Sequence, residues 1–306
     1  MGEDELPSSG TRRKDGEKKI NIFVSGSKGF ISRHLIKLLE DKGHTVIGYD
    51  IIDGYDLRDY GQMKLIFDTH KPEQVYHIGG QAYLDKGEAN PYYDIDVNIK
   101  GMINILRCCT EHNSQLLYTS SGAIYGVGDI PHYEDNKPIP VSNYGCSKLA
   151  AEQYLNKWAI TEALDAKTVR FSSIYGKGRN AGPVNIFCKR ASENKSITIY
   201  GSGGQTRDYV HVSDVCNGMI LVMERGKRGE AYNLGYGEEH SVSEVAHLVK
   251  KHHSSTEILY EKAEYSAYDL PRSWFDVGKA KKLGYNPKID LPLGVNLTLF
   301  EYMENV

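Results

Sequence analysis

A chain of 306 residues with a net charge of −3 is long enough to bury a full core and carries no basic surplus suited to nucleic acid. Its five cysteines contain no CxxC spacing, and the adjacent Cys108 and Cys109 suit neither an ordinary disulfide nor a zinc site, so a reducing, cytoplasmic compartment is expected. No apolar run reaches the length of a membrane span, and the opening MGEDEL lacks the apolar core of a signal peptide.

Residues 1–18 are charged and nearly free of apolar side chains, the composition of a disordered tail. From Lys19 the pattern changes. INIFVSG reads as a short apolar strand ending in glycine, and FISRHLIKLLEDKGH follows as an amphipathic helix closed by Gly43. TVIGYD is a second strand, QVYHIGG (74–80) a third, SQLLYTSS (114–121) a fourth and AKTVRFSSIYG (166–176) a fifth. Helical stretches at about 60–69, 91–112 and 143–164 lie between them. The strands are continuous apolar runs, as when helices cover both faces of a sheet, and the alternation predicts a parallel, doubly wound α/β domain of Rossmann type. Gly and Pro are dense from Gly176 to Gly204, and helices at about 213–225, 242–253 and 293–304 complete the chain. The expected organisation is a dinucleotide-binding domain over 19–175, to which 208–237 returns, and a smaller C-terminal α/β domain from 176–207 and 238–306. The smaller domain is placed at the sheet's C-terminal edge, where ligands of doubly wound sheets bind.

The first strand-to-helix turn is SGSKGFIS. Gly26 and Gly29 fit the first two positions of a G-x-x-G-x-x-G dinucleotide loop, and Phe30 and Ile31 open the helix whose free N–H groups would face a pyrophosphate. Ser32 occupies the third position, a small addition expected to alter the packing of helix on strand only slightly. A glycine loop by itself is weak evidence, because many only turn the chain. Asp50 at the end of the second strand strengthens it: an acid there accepts from both ribose hydroxyls and repels a 2′-phosphate, which favours NAD over NADP. Asp56 and Leu57, in DLRD, stand where a loop can cap the adenine.

The stretch SNYGCSKLAAEQY puts Tyr144 and Lys148 one helical turn apart, on one face. An ammonium there is expected to favour phenolate and lower the tyrosine pKa. Ser120 and Ser121 end the fourth strand at the same sheet edge. Hydroxyl, phenol and ammonium beside a nicotinamide are the parts for alcohol-to-ketone chemistry: tyrosine as the base, lysine holding it ionised, serine bonding the oxygen that changes.

From about residue 19 the chain resembles the extended short-chain dehydrogenase/reductase superfamily, in its nucleotide-sugar epimerase and dehydratase branch. The matching pieces run in the family's order: SGSKGFIS, Asp50, DLRD, HIGGQA, NIKGMINIL, YTSSGAIYG, YGCSK, VRFSSIYG, RDYVHVSDV and DLPRSWFDVGKAKKLGYNP. The resemblance implies Tyr144 and Lys148 as the catalytic pair and Ser121 as third member, with NAD held also by Gly79 and Gln81. It further implies a nucleotide-diphosphate sugar held by Ser121, Ser173, Tyr200 stacking on the base, and Arg207 at the diphosphate. There are departures. Gly79 and Gly80 replace two alanines, a change expected to loosen that turn. Ser173 stands for an asparagine, and an arginine expected before Asp269 is missing, with Ser266 near its place and Arg272 as the substitute.

Members of this branch oxidise sugar C4 and then diverge. The Asp-Glu pair of 4,6-dehydratases is replaced here by Gly122 and Ala123, which cannot move a proton. The leading expectation is therefore an NAD-dependent 4-epimerase. The alternatives are an NAD(P)H-dependent keto-sugar reductase, a 4,6-dehydratase, or a non-catalytic dinucleotide-binding scaffold. The family also implies a homodimer through helices 91–112 and 143–164. No HExxH or carboxylate cluster points to a metal. Cys146 is read as a small residue on a packed helix, and Asn98 as a helix-positioning residue.

Overall fold

Short strands set the frame: β1 (Asn21–Ser25), β2 (Thr45–Tyr49), β3 (Gln74–His77), β4 (Gln115–Ser121) and β5 (Ala166–Phe171), β2 being buried only at Tyr49 and β5 at every residue. The computed structural model describes residues 18–263 and 270–304. The expected tail, apart from Lys18, and the positions of Ser266 and Asp269 lie outside the described residues. Between the strands run α1 (Phe30–Asp41), α2 (Tyr60–His70), α3 (Leu84–Ala89), α4 (Pro91–Asp94), α5 (Gly101–His112) and α6 (Asn143–Thr161). The later elements are β6 (Ser173–Tyr175), α7 (Pro183–Ser192), β7 (Ile197–Tyr200), β8 (Thr206–Arg207), β9 (Tyr209–His211), α8 (Val212–Arg225), β10 (Ala231–Leu234), β11 (His240–Ser241), α9 (Val242–His252), β12 (Ile258–Glu261), β13 (Arg272–Ser273), α10 (Gly278–Leu283) and α11 (Leu291–Met303).

The central sheet has six strands in the order β10-β5-β4-β3-β1-β2, every pairing parallel. Helices cover both faces, as the apolar strand runs require. Leu35 and Leu39 of α1 join Val215, Met219 and Met223 of α8 in one core. Met63 and Phe67 of α2, Ile105 and Leu106 of α5, and Ala151 and Leu155 of α6 fill the other. This is a doubly wound Rossmann-type sheet. A third core, from α7, β7, α9 and α11, lies beyond it.

The helices α3, α7 and α10 have no counterpart among the expected ones, and two further elements differ. The run 166–176 is not one strand: β5 stays in the central sheet to Phe171, whereas β6 leaves it to pair with β9. The break follows from separate backbone partners, since Ser172 N–H donates to Leu234 O (3.3 Å) and Ser173 N–H to Asp208 O (2.9 Å). The helix expected over 91–112 is continuous but contains a six-residue π segment, Ile95–Lys100. Such segments commonly mark functional sites. This one carries Asn98, 3% exposed, which accepts from Gln81 N–H (2.9 Å) and donates to Ser147 Oγ (2.9 Å). Asn98 thereby ties α6 to the loop after β3.

Candidate active site

The ends of β1 and β3 approach so closely that side chains are excluded. Gly26 has φ of +66°, and a Cβ on it would fall 2.6 Å from Gly79 Cα. A Cβ on Gly80 would lie 2.7 Å from Asn98 Oδ1 and 3.6 Å from Lys148 Nζ. The two glycines of HIGGQA thus tighten this turn rather than loosening it, contrary to the expectation. Ser32 is fully buried with its Oγ unpartnered, so the departure from glycine is accommodated in the α1 packing.

The cradle fits a dinucleotide. Gly29, the N-cap of α1, offers no side-chain cap and the first turn has no acid, so the leading N–H groups stay available to an anion. Phe30 and Ile31 open this turn. Asp50, 8% exposed, accepts Lys28 N–H (2.8 Å) and Ile52 N–H (3.0 Å), which joins the glycine loop to the end of β2. Other expected contacts are spent inside the protein. Asp56 is paired with Arg58 (2.6 Å), and Leu57 packs near Gly101. Gln81 directs its amide to Tyr83 O (2.8 Å) and Asp94 Oδ1 (2.6 Å).

Beside this cradle a cavity of about 350 Å³ is lined by Ile31, Ser120, Ser121, Tyr144, Ser173, Arg179 and Arg207, among others. That volume suits a small-molecule ligand. Ser142 caps α6 by accepting Gly145 N–H (3.1 Å), and this fixes where the helix begins and therefore where Tyr144 stands. Tyr144 shares this cavity wall with Ser121. Burial holds its phenol above the ordinary range, while Ser121 and the Arg179 guanidinium act in the opposite sense. Lys148 does not act as simply as its spacing suggests. Its Nζ donates to Thr119 O (2.9 Å) and sits 5.9 Å from the Tyr144 ring centre and 4.9 Å from that of Tyr118. The expected lowering of the Tyr144 pKa is therefore absent, because desolvation outweighs it. Lys148 itself, 4% exposed, is pulled down to about 8 by burial, against the pull of Glu152 and Asp94.

Ser121, Tyr144 and Lys148 are thus brought together, with Ser173 and Arg207 in the same cavity wall. Tyr200 and Arg272 are not among the lining residues. Tyr200 is 58% exposed at the end of β7. Arg272 is bound to Glu239 (Nε to Oε1, 2.9 Å), and strand alternation presents its neighbour Ser273 to the cavity instead. Cys146 is exposed, not packed as expected. Sequence reasoning missed Arg179, which reaches the cavity from the loop after β6 and passes its Cζ 6.0 Å from the Phe30 ring. A lone arginine within the glycine-rich KGRNAG was the available signal. It also missed Phe275: a Cβ on Gly122 would meet its ring at 2.7 Å.

The sequence is 31% identical over 306 residues to a putative UDP-glucose 4-epimerase of Methanocaldococcus jannaschii, covering 93% of this chain and 98% of the relative. Among solved structures, UDP-glucose 4-epimerase of Thermotoga maritima with UDP-glucose superposes with a TM-score of 0.87 at 30% identity, over 94% of this chain and 99% of that one. The Thermus thermophilus UDP-glucose 4-epimerase complex with NAD gives 0.87 at 29% identity, over 94% and 100%. The sequence model of the NAD dependent epimerase/dehydratase family matches residues 22–235, and with this fold and cradle the chain belongs to that family, whose cofactor is NAD.

Proposed function

We propose that the protein is an NAD-dependent nucleotide-sugar 4-epimerase. The observation that carries this reading is one cavity lined by both Ser121 and Tyr144, with Lys148 behind them and no acid at positions 122 and 123. Phe275 fills the space an acidic side chain at 122 would need, which argues against dehydration through that position.

In this reading Arg207 and Ser173 bind the diphosphate. Tyr144, as phenolate, takes the proton of the sugar C4 hydroxyl, and Ser121 hydrogen-bonds the same oxygen as it becomes a carbonyl. Ser121 and Arg179 act against the burial that disfavours the phenolate, and Lys148 stands one helical turn behind it. NAD, held by the turn of Gly26 and Gly29 with Asp50, supplies the hydride acceptor and donor when bound. Small walls at Ser120, Gly122 and Ala123 leave the keto sugar room to turn over, and Tyr144 then returns its proton to the opposite-handed alkoxide.

The test is incubation of purified protein with UDP-, GDP-, CDP- and dTDP-hexoses, with products resolved by NMR. Formation of a C4 epimer without net reduction of NAD is expected. Loss of water, or turnover only with added NADPH, would instead indicate a dehydratase or a reductase.

A further inference from the structure

Below the cavity, and outside its lining, lies an ion pair that the chemistry above does not use. Glu152 and Arg170 are 2% and 7% exposed. They meet in fork geometry, Arg170 Nε to Glu152 Oε1 at 3.1 Å and Nη2 to Oε2 at 2.7 Å. A buried pair of this kind is poor evidence for stability, because desolvation consumes most of the attraction and apolar replacements are often neutral. Its place in the fold is more telling. Glu152 follows Tyr144 and Lys148 at successive four-residue steps on α6. Arg170 lies within β5, in register with Ser120 of β4 and Asn233 of β10. The third nitrogen, Nη1, donates to Tyr125 Oη (2.9 Å) and Glu134 O (2.8 Å), and Tyr125 passes its own proton on to Asn233 Oδ1 (2.7 Å). One guanidinium therefore pins α6 to three neighbouring segments of the sheet edge.

We infer that the Glu152–Arg170 pair is a positioning device for the proposed reaction, fixing the rotation of α6 that presents Tyr144 and holding a negative charge beneath Lys148 so that its ammonium stays charged. The inference rests on the epimerase reading for its purpose. Few groups face that ammonium. Glu152 comes from its own helix, Asp94 from α4, the neutral imidazole of His77 from β3 and the Tyr118 ring from β4. On the Tyr144 side stands the Arg179 guanidinium. Among the described residues, Glu152, Asp94 and the Thr119 carbonyl that accepts from Nζ favour the charged lysine, and burial raises the Asp94 pKa. Glu152 is held in place by both arms of the Arg170 fork.

The experiment reads Lys148 directly and needs no substrate. The chain is labelled with 13C-lysine, the Lys148 Cε resonance is assigned by its loss in Lys148→Arg, and its pH midpoint is measured. Glu152→Gln and the apolar double variant Glu152→Met/Arg170→Met are expected to move the midpoint to lower pH by about one unit. The double variant leaves no unpaired buried charge and so guards against loss of fold in the single one. Glu152→Asp, which keeps the charge on a shorter arm, should hold the native midpoint while kcat falls with KM unchanged. A native midpoint in the folded double variant would overturn the inference, as would undiminished kcat in Glu152→Asp. Failure of the epimerase reading is separate: it appears as absence of epimerisation by the unsubstituted chain, whatever the Lys148 titration gives.

Discussion

His77 illustrates how single side chains prepare the cradle. Ser25 Oγ accepts N–H bonds from Ile78 (3.1 Å) and Gly79 (3.0 Å), so its own proton goes to His77 Nδ1 at 2.7 Å, and the imidazole carries hydrogen on Nε2. Burial depresses the His77 pKa from 6.5 to about 3. The unfolded chain takes up a proton below about pH 6.5 that the folded chain refuses. This group's contribution is therefore complete above that pH and lost as pH falls toward 3, on the order of 5 kcal/mol in all. His77→Asn, which can still accept from Ser25, should flatten the acid-side loss of unfolding free energy measured by urea titration. An unchanged slope would mean that other groups cause it. At the reacting end, Tyr144→Phe should retain NAD while losing about a thousandfold in turnover. Full activity would remove tyrosine from the proposed role. Tyr144 and Lys148 were legible in the sequence because four-residue spacing puts them on one helix face, whereas the choice of Ser121 over Ser120 came from the family resemblance. Arg179 and Phe275 were not legible, because each arrives from a loop whose path depends on distant contacts. The Arg179 carbonyl, for example, is held by Tyr302 Oη at 3.2 Å.

At the scale of elements, the apolar runs announced all five of the first strands and the longer helices between them, but not the short α3. What they could not announce were the places where a tertiary partner overrides the local pattern. The strand after β5 is redirected by the carbonyl of Asp208, and the π segment accompanies the insertion of Asn98 between Gln81 and Ser147. The helices around these sites also bear on assembly. Tyr92 is 78% exposed and Ile95 50%, on α4 and the adjoining π segment, and Ile160 of α6 is 81% exposed. Apolar surface of this extent on these helices supports the proposed homodimer. Sedimentation equilibrium should give twice the chain mass, and Tyr92→Glu with Ile95→Glu should shift it toward the monomer. A monomeric unsubstituted chain would refute the proposal.

For the whole molecule, the decisive feature is that the cavity is closed by residues remote in sequence. Ile31 and Tyr144 come from the helices around the central sheet, whereas Arg207 and Phe275 come from the later segments packed at its edge. Parallel topology was readable from the alternation of elements, and β10 lies beside β5 in the sheet, with Asn233 fastened to His132 O (2.9 Å) and Tyr125. The central claim is that hydrogen leaves sugar C4 and comes back to the same carbon on the other face. Its most direct test uses a nucleotide hexose, shown to be a substrate, carrying deuterium at C4, turned over in ordinary water and analysed by mass spectrometry and NMR. The account predicts an inverted C4 that keeps its deuterium. Deuterium lost to solvent, or an inverted centre other than C4, would contradict it.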